Sequence, residues 1–172
     1  MKIIILGSTG SGKGTQSKFI SKLLKLRHIE TGALLRKEAK KNKSIKKLMG
    51  EGKLISDNLV IDINNREIKN NKNFILDGFP RTLKQLKSLK FNPDFVLLLD
   101  VTKKNVLRRL LLRKRFDDTK KAIEERYNLY LKKTLPVINY YKKKKHFVKI
   151  NGNPGIKEVN ESIKKIIYQQ QP

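Results

Sequence analysis

A chain of 172 residues with 38% apolar content holds one compact domain, or one domain with a small insertion. It has no cysteine, which excludes disulfides and cysteine-based metal sites and fits a reducing, cytoplasmic setting. Lys and Arg total 41 against 15 acids, a formal charge of +26. Such a charge predicts a weak, salt-sensitive affinity for polyanions. The lysines are spread along the chain without interleaved aromatics, however, which favours solvated helix faces over a dedicated nucleic-acid surface.

Residues 2–6 (KIIIL) predict a short apolar strand that breaks into a glycine-rich turn, Gly7, Ser8, Thr9, Gly10, Ser11, Gly12, Lys13, Gly14 and Thr15. An amphipathic helix over about 13–25 follows, with Phe19, Ile20, Leu23 and Leu24 on one face. Strand, glycine turn, lysine and helix together make a phosphate-binding loop: the backbone approaches an anion and the helix start adds free N–H donors. Lys13 can reach terminal phosphates, and the Thr15 hydroxyl lies near where magnesium would be held. Gly14 departs from the strict pattern, which places Ser or Thr directly after the lysine.

Arg27–Glu30 is a possible short strand, after which Thr31 and Gly32 open a helix through Leu34, Leu35 and Arg36. The highly charged run from Arg36 to Lys53 has few apolar anchors and reads as short helices on a solvent-facing, mobile excursion outside the central core. Ser56 caps a helix with Leu59, Ile61, Ile63 and Ile68 on its buried side. Further apolar strands are expected at 73–76, ending at Asp77–Arg81, at 95–99, and at 147–150 before Asn151–Pro154. Helices are expected near 82–90, 103–113, 119–144 and 155–168, and residues 169–172 as a frayed tail. In the long helix Ile123, Tyr127, Tyr130, Leu131, Thr134, Ile138 and Tyr141 share one spacing, read as core packing, and Pro136 should kink it.

Continuously apolar strands alternating with helices imply an α/β fold with a five-stranded parallel sheet covered on both faces. Ligands bind beyond the carboxyl ends of such strands, so the glycine loop, Asp77–Arg81 and Asn151–Pro154 should share one rim. Asp77 suits a magnesium-linked water shell or a cap for the turn that follows. No segment approaches membrane-spanning length, and the first apolar run is too short for a signal peptide.

GSTGSGKGTQ, ETGALLR, GEGKLISDNLV and FILDGFPRTLKQ, in that order, resemble the successive signatures of the adenylate kinase family, and DGFPRT is specific to nucleoside monophosphate kinases. The resemblance runs nearly end to end and implies a P-loop kinase of residues 1–172, with an AMP-binding excursion at about 31–60. The reaction it implies is reversible, Mg2+-dependent transfer between ATP and AMP. It places ATP phosphates on Gly7–Thr15, and the transferring phosphate among Lys13, Arg81, Arg113, Arg115 and Arg126. It places the ATP adenine at Arg109 and Pro154. AMP would lie at Thr31, Gly32, Arg36, Lys53, Leu54, Ile55, Gly78, Phe79, Pro80, Arg81 and Gln85, with Mg2+ held through waters at Thr15 and Asp77. Thr31 and Gln85 favour AMP over the pyrimidine acceptor of UMP/CMP kinases, which remain the alternative. A nucleic-acid-associated nucleotide-binding protein with weak kinase activity is a further alternative.

Two departures from the family pattern stand out. Glu30 and Ala33 replace the Ser and the acid of the usual STGD. Only Lys114 separates Arg113 from Arg115, where relatives carry a lid, so 113–116 is a vestigial lid. Less closure over ATP is expected, unless a second subunit covers the site.

Overall fold

The computed structural model describes residues 1–113 and 115–169; Lys114, within the expected vestigial lid at 113–116, and 170–172 of the expected tail lie outside them. Five strands alternate with helices: β1 (Lys2–Leu6), β2 (Arg27–Glu30), β3 (Phe74–Asp77), β4 (Phe95–Asp100) and β5 (Phe147–Asn151). All pair in parallel, in the order β2-β3-β1-β4-β5. The expected α/β fold is therefore present.

Parallel strands are joined by crossover helices, so the central ones are covered on both faces and read as unbroken apolar runs. Successive β1 residues serve opposite cores. Ile4 and Leu6 pack with Leu76, Val96 and Leu98 on one face. Ile3 and Ile5 pack with Ile75, Leu97 and Leu99 on the other, under Ile20 of α1 (Lys13–Leu23) and Val159 and Ile163 of α9 (Ile156–Gln169). The edge strands β2 and β5 are only partly buried and carry Arg27, Glu30 and Lys149. Register sets Glu30 beside Asp77, and Asp77 beside Ile5, at the carboxyl end of the sheet.

The excursion departs from its expected character. It contains α2 (Thr31–Ala39) and α3 (Lys43–Gly50), and Ala39, Ile45 and Met49 are buried in the same core cluster as Ile4 and Leu76. Three well-spaced apolar side chains suffice to anchor a charged helical pair, because the lysines between them point outward. Asn42 caps α3 by accepting from Ser44 and Ile45 N–H. Ser56 caps α4 (Asp57–Lys69) as expected. There Ile63 is buried with Val60, whereas Leu59, Ile61 and Ile68 are partly buried against the same core.

α5 (Leu83–Lys87) and α6 (Lys103–Leu111) follow β3 and β4. The long helix is not continuous. α7 (Lys120–Leu129) runs into a π turn at Tyr130–Thr134, and α8 (Leu135–Tyr141) begins with Pro136 near its start. The Leu135 N–H bonds Tyr130 O, five residues back, so in place of the expected kink at Pro136 the helix has a widened turn just ahead of the proline. The extra residue shifts the helical phase. Ile123, Thr134, Ile138 and Tyr141 stay buried, while Leu131 is 46% exposed and Tyr127 only half-buried.

Candidate active site

The loop between β1 and α1 is shaped by two glycines. Gly7 (φ 145°) lies so close to the end of β4 that a Cβ would fall 2.8 Å from Leu99 O. Gly10 (φ 87°) presses on α6, where a Cβ would sit 2.7 Å from Leu110 Cγ. No side chain caps α1, which starts from Gly12, so its first N–H groups face the loop's hollow. Lys13 Nζ donates to Gly7 O (2.8 Å) and Ser8 O (2.7 Å) inside that hollow. Burial, opposed by the charge of Asp77, brings the Lys13 ammonium down to about 8.

Across the cleft, β2 and β3 deliver a second set of groups. Arg36 Nη2 donates to Glu30 Oε1 at 2.6 Å, and Arg115 Nη1 lies 4.0 Å from the same oxygen. Thr31 Oγ1 donates to Asn64 Oδ1 (2.9 Å), which fixes the start of α2 on α4. Arg81 Nε donates to Gly78 O (2.9 Å) and its backbone N–H to Gln85 Oε1 (2.7 Å). Gln85 Nε2 in turn donates to Asp57 Oδ1 (2.7 Å), so this amide keeps one N–H and one lone pair free.

The arginines after α6 are held by carboxylates. Arg113 forks onto Asp118 (Nε–Oδ2 2.7 Å, Nη2–Oδ1 2.5 Å). Arg126 donates to Asp117 Oδ2 (2.5 Å), to Asp118 Oδ1 (3.3 Å) and to Met49 O (3.1 Å), tying α7 to α3. Arg109 reaches across the rim, with Nη1 on Ser11 O (3.1 Å) and Nη2 on Gly152 O (2.8 Å), Asn153 O (3.2 Å) and Pro154 O (3.3 Å).

A single cavity of about 1020 Å³ opens at the carboxyl ends of the strands, large enough for two nucleotides laid end to end. It brings together Gly7, Thr9–Thr15, Thr31, Gly32, Arg36, Lys53–Ile55, Asp77, Gly78, Pro80, Arg81, Gln85, Arg109, Arg113, Arg115, Arg126 and Pro154 from the sequence-derived set. Ser8 and Phe79 are not on its wall. Ser8 offers its carbonyl to Lys13, and Phe79 is fully buried in the core. The sequence reading left Glu30, Asp117, Leu129 and Tyr130, which line the cavity, out of the site, along with Asp118, Asp57 and Asn64, which hold lining residues. Of these, Glu30 stood out as a departure from the family pattern, and the Asp117-Asp118 pair carried a local signal, two acids within five residues of an arginine.

His28, Glu30 and Asp77 offer ligand atoms within 4.8 Å of one another. Glu30 is already paired with Arg36, and Lys13, Arg81 and Arg113 stand close by. The electrostatics of this corner favour anions over a bare cation.

A parallel sheet whose first strand ends in a Lys-bearing glycine loop, facing converging arginines, defines an α/β P-loop phosphotransferase. The adenylate kinase family model matches residues 5–146. An adenylate kinase of Prochlorococcus marinus (strain MIT 9515) is 39% identical over 94% of this chain and 96% of its own length. Another, from Buchnera aphidicola subsp. Cinara cedri, is 38% identical over 98% of this chain and 96% of its own. UMP-CMP kinase 1 of Oryza sativa is 37% identical over 97% of this chain and 74% of its own. The chain belongs to the adenylate kinase family. Among the described residues no helix is long and apolar enough to cross a membrane.

Proposed function

We propose that the protein transfers the γ-phosphoryl group of ATP to AMP, giving two ADP, reversibly. The observation that carries this is the convergence of the Lys13 loop and Arg36, Arg81, Arg113, Arg115 and Arg126 on one cavity. Two polyanions must be brought into line, and positioning plus fixed positive charge supplies most of the effect. The loop and Lys13 hold the donor's phosphates, while Arg36 and Arg81 hold the acceptor's phosphate. The arginines released from Asp117 and Asp118 then turn to the group in transit. An acceptor phosphate oxygen bonds the γ-phosphorus as the bond to the β–γ bridging oxygen breaks, and the electron pair leaves with ADP.

Asp77 is buried at the loop with its carboxylate facing Gly14, and Thr15 is exposed on the cavity wall. These hard oxygen donors fit Mg2+ held largely through waters and phosphates. When bound, the ion neutralises phosphate charge. The match to the Buchnera relative spans 210 positions against 172 residues here, which fits a deletion such as the missing lid. Leu111 and Leu112, next to that position, are 75% and 77% exposed. A second subunit over the site is the other way to close it.

An acceptor panel with ATP and Mg2+ tests the reading. AMP should give two ADP per turnover and UMP or CMP far less. The arm without acceptor should show more ATP hydrolysis than a lidded relative gives. Preference for CMP or UMP would move the assignment to the pyrimidine kinases, a reading favoured by the rice relative.

The pH dependence of ATP binding follows from Lys13. The free protein's ammonium loses its proton near 8, whereas bound phosphates favour the charged form. ATP affinity should hold level below about pH 8 and fall above it, with proton uptake on binding growing in the same range. Calorimetry in two buffers of different ionisation heat reads that uptake, and a pH-independent result would remove Lys13 as the group responsible.

A further inference from the structure

Glu30 ends β2 in register with Asp77 and stands on the cavity wall with 22% of its side chain exposed. Cations face it from three segments: Lys13 on α1, Arg36 on α2, and Arg113 and Arg115 after α6. His28 and Asp77 also lie near it. One oxygen, Oε1, accepts from Arg36 at 2.6 Å and is the atom that Arg115 approaches at 4.0 Å. The same carboxylate oxygen is thus within ion-pair range of both guanidiniums. An anionic oxygen taking a charge-assisted bond from a guanidinium is also what a phosphate would offer here.

We infer that Glu30 is a built-in anionic occupant of the acceptor-phosphate cradle, which the incoming monophosphate must displace. This rests on the acceptor site proposed above. A singly charged carboxylate neutralises part of the cradle in the empty protein. It gives way to a phosphate dianion, which gains more from the same cations. The device costs acceptor affinity, because part of the attraction is already used within the chain. It also discriminates: singly charged anions gain too little over Glu30 to displace it.

The alternative, that Glu30 only orients Arg36, predicts the opposite sign. Glu30→Gln keeps an acceptor for Arg36 and removes the charge, while Glu30→Ala removes both. Binding of AMP and of ATP, each alone, is measured by calorimetry for the wild-type protein and both variants, with thermal melts as folding controls. Glu30→Gln should tighten AMP binding about two- to fivefold, the scale of a partly exposed ion pair removed from competition. ATP affinity should change less, and the KM for AMP should fall with no rise in kcat. AMP binding that is unchanged or weaker in whichever variants fold overturns the inference. Wild-type protein that binds ATP but no AMP overturns the acceptor reading itself.

Discussion

Lys13→Met is expected to slow phosphoryl transfer by about 10³-fold while leaving the fold intact, the scale of removing a buried charge that acts on the transferring phosphate. In the free protein the ammonium is parked on Gly7 O and Ser8 O, two carbonyls of the loop that carries it. Those bonds keep a buried charge tolerable until phosphate oxygens arrive. Methionine retains the length of the stem but supplies no charge, so a nucleotide still finds the loop's N–H groups and the α1 start. Affinity should therefore fall much less than turnover. Thermal stability should hold or rise, since the variant no longer desolvates an ammonium whose pKa burial lowers to about 8. Initial rates of ADP formation, ATP calorimetry and a melt separate these effects. A variant that melts normally and turns over at more than a tenth of the wild-type rate would show that the arginines alone carry the charge.

The part of the molecule that this experiment probes was legible in the sequence because every local signal agreed. KIIIL needs burial on both faces, the glycines need positive φ, and the apolar face of the following helix returns to the sheet. The Lys2–Leu6 and Arg27–Glu30 bounds and the ligand rim follow from such signals. The excursion was harder to read. Ala39, Ile45 and Met49 are diluted among lysines, so composition pointed outward while three side chains fixed the segment to the core. The π turn was hidden because a proline announces a disturbance but not how the backbone absorbs it.

The supporting shell was almost illegible. Thr31 meets Asn64, Gln85 meets Asp57, and Arg126 meets Met49 O, pairs set by the packing of α4 on α2 and α5 and of α7 on α3, and not by spacing. Glu30 stood out as a departure from a familiar pattern. The register of β2 against β3 sets it beside Asp77, on the cavity wall.

Asp118→Ala should destabilise the protein by about 3 kcal/mol, because it strands two guanidiniums that share one nearly buried carboxylate. The Asp118 side chain is 3% exposed, against 27% for Arg113 and 12% for Arg126. Arg113 can turn toward solvent, which limits its cost, but Arg126 is enclosed and keeps only Asp117 and Met49 O. For a chain of this size the loss corresponds to a melting temperature about 6–12 °C lower. Turnover should fall about 10- to 100-fold as well, since a misplaced arginine no longer meets the phosphate in line. The pH dependence separates this from a general packing defect. Burial would push the Asp118 carboxyl up, but the hydrogen bond and charge of Arg113, joined by Arg126, hold it below its ordinary 3.8. A carboxyl depressed in the folded state adds stability that is complete above the unfolded value and disappears as pH falls through the folded one. The gap between wild type and Asp118→Ala should therefore be full at neutral pH and close only below about pH 4, as wild-type Asp118 takes up its proton. Denaturant titrations across that range measure it. A gap that stayed constant down to about pH 2 would mean that the side chain is held for its shape and not for its charge.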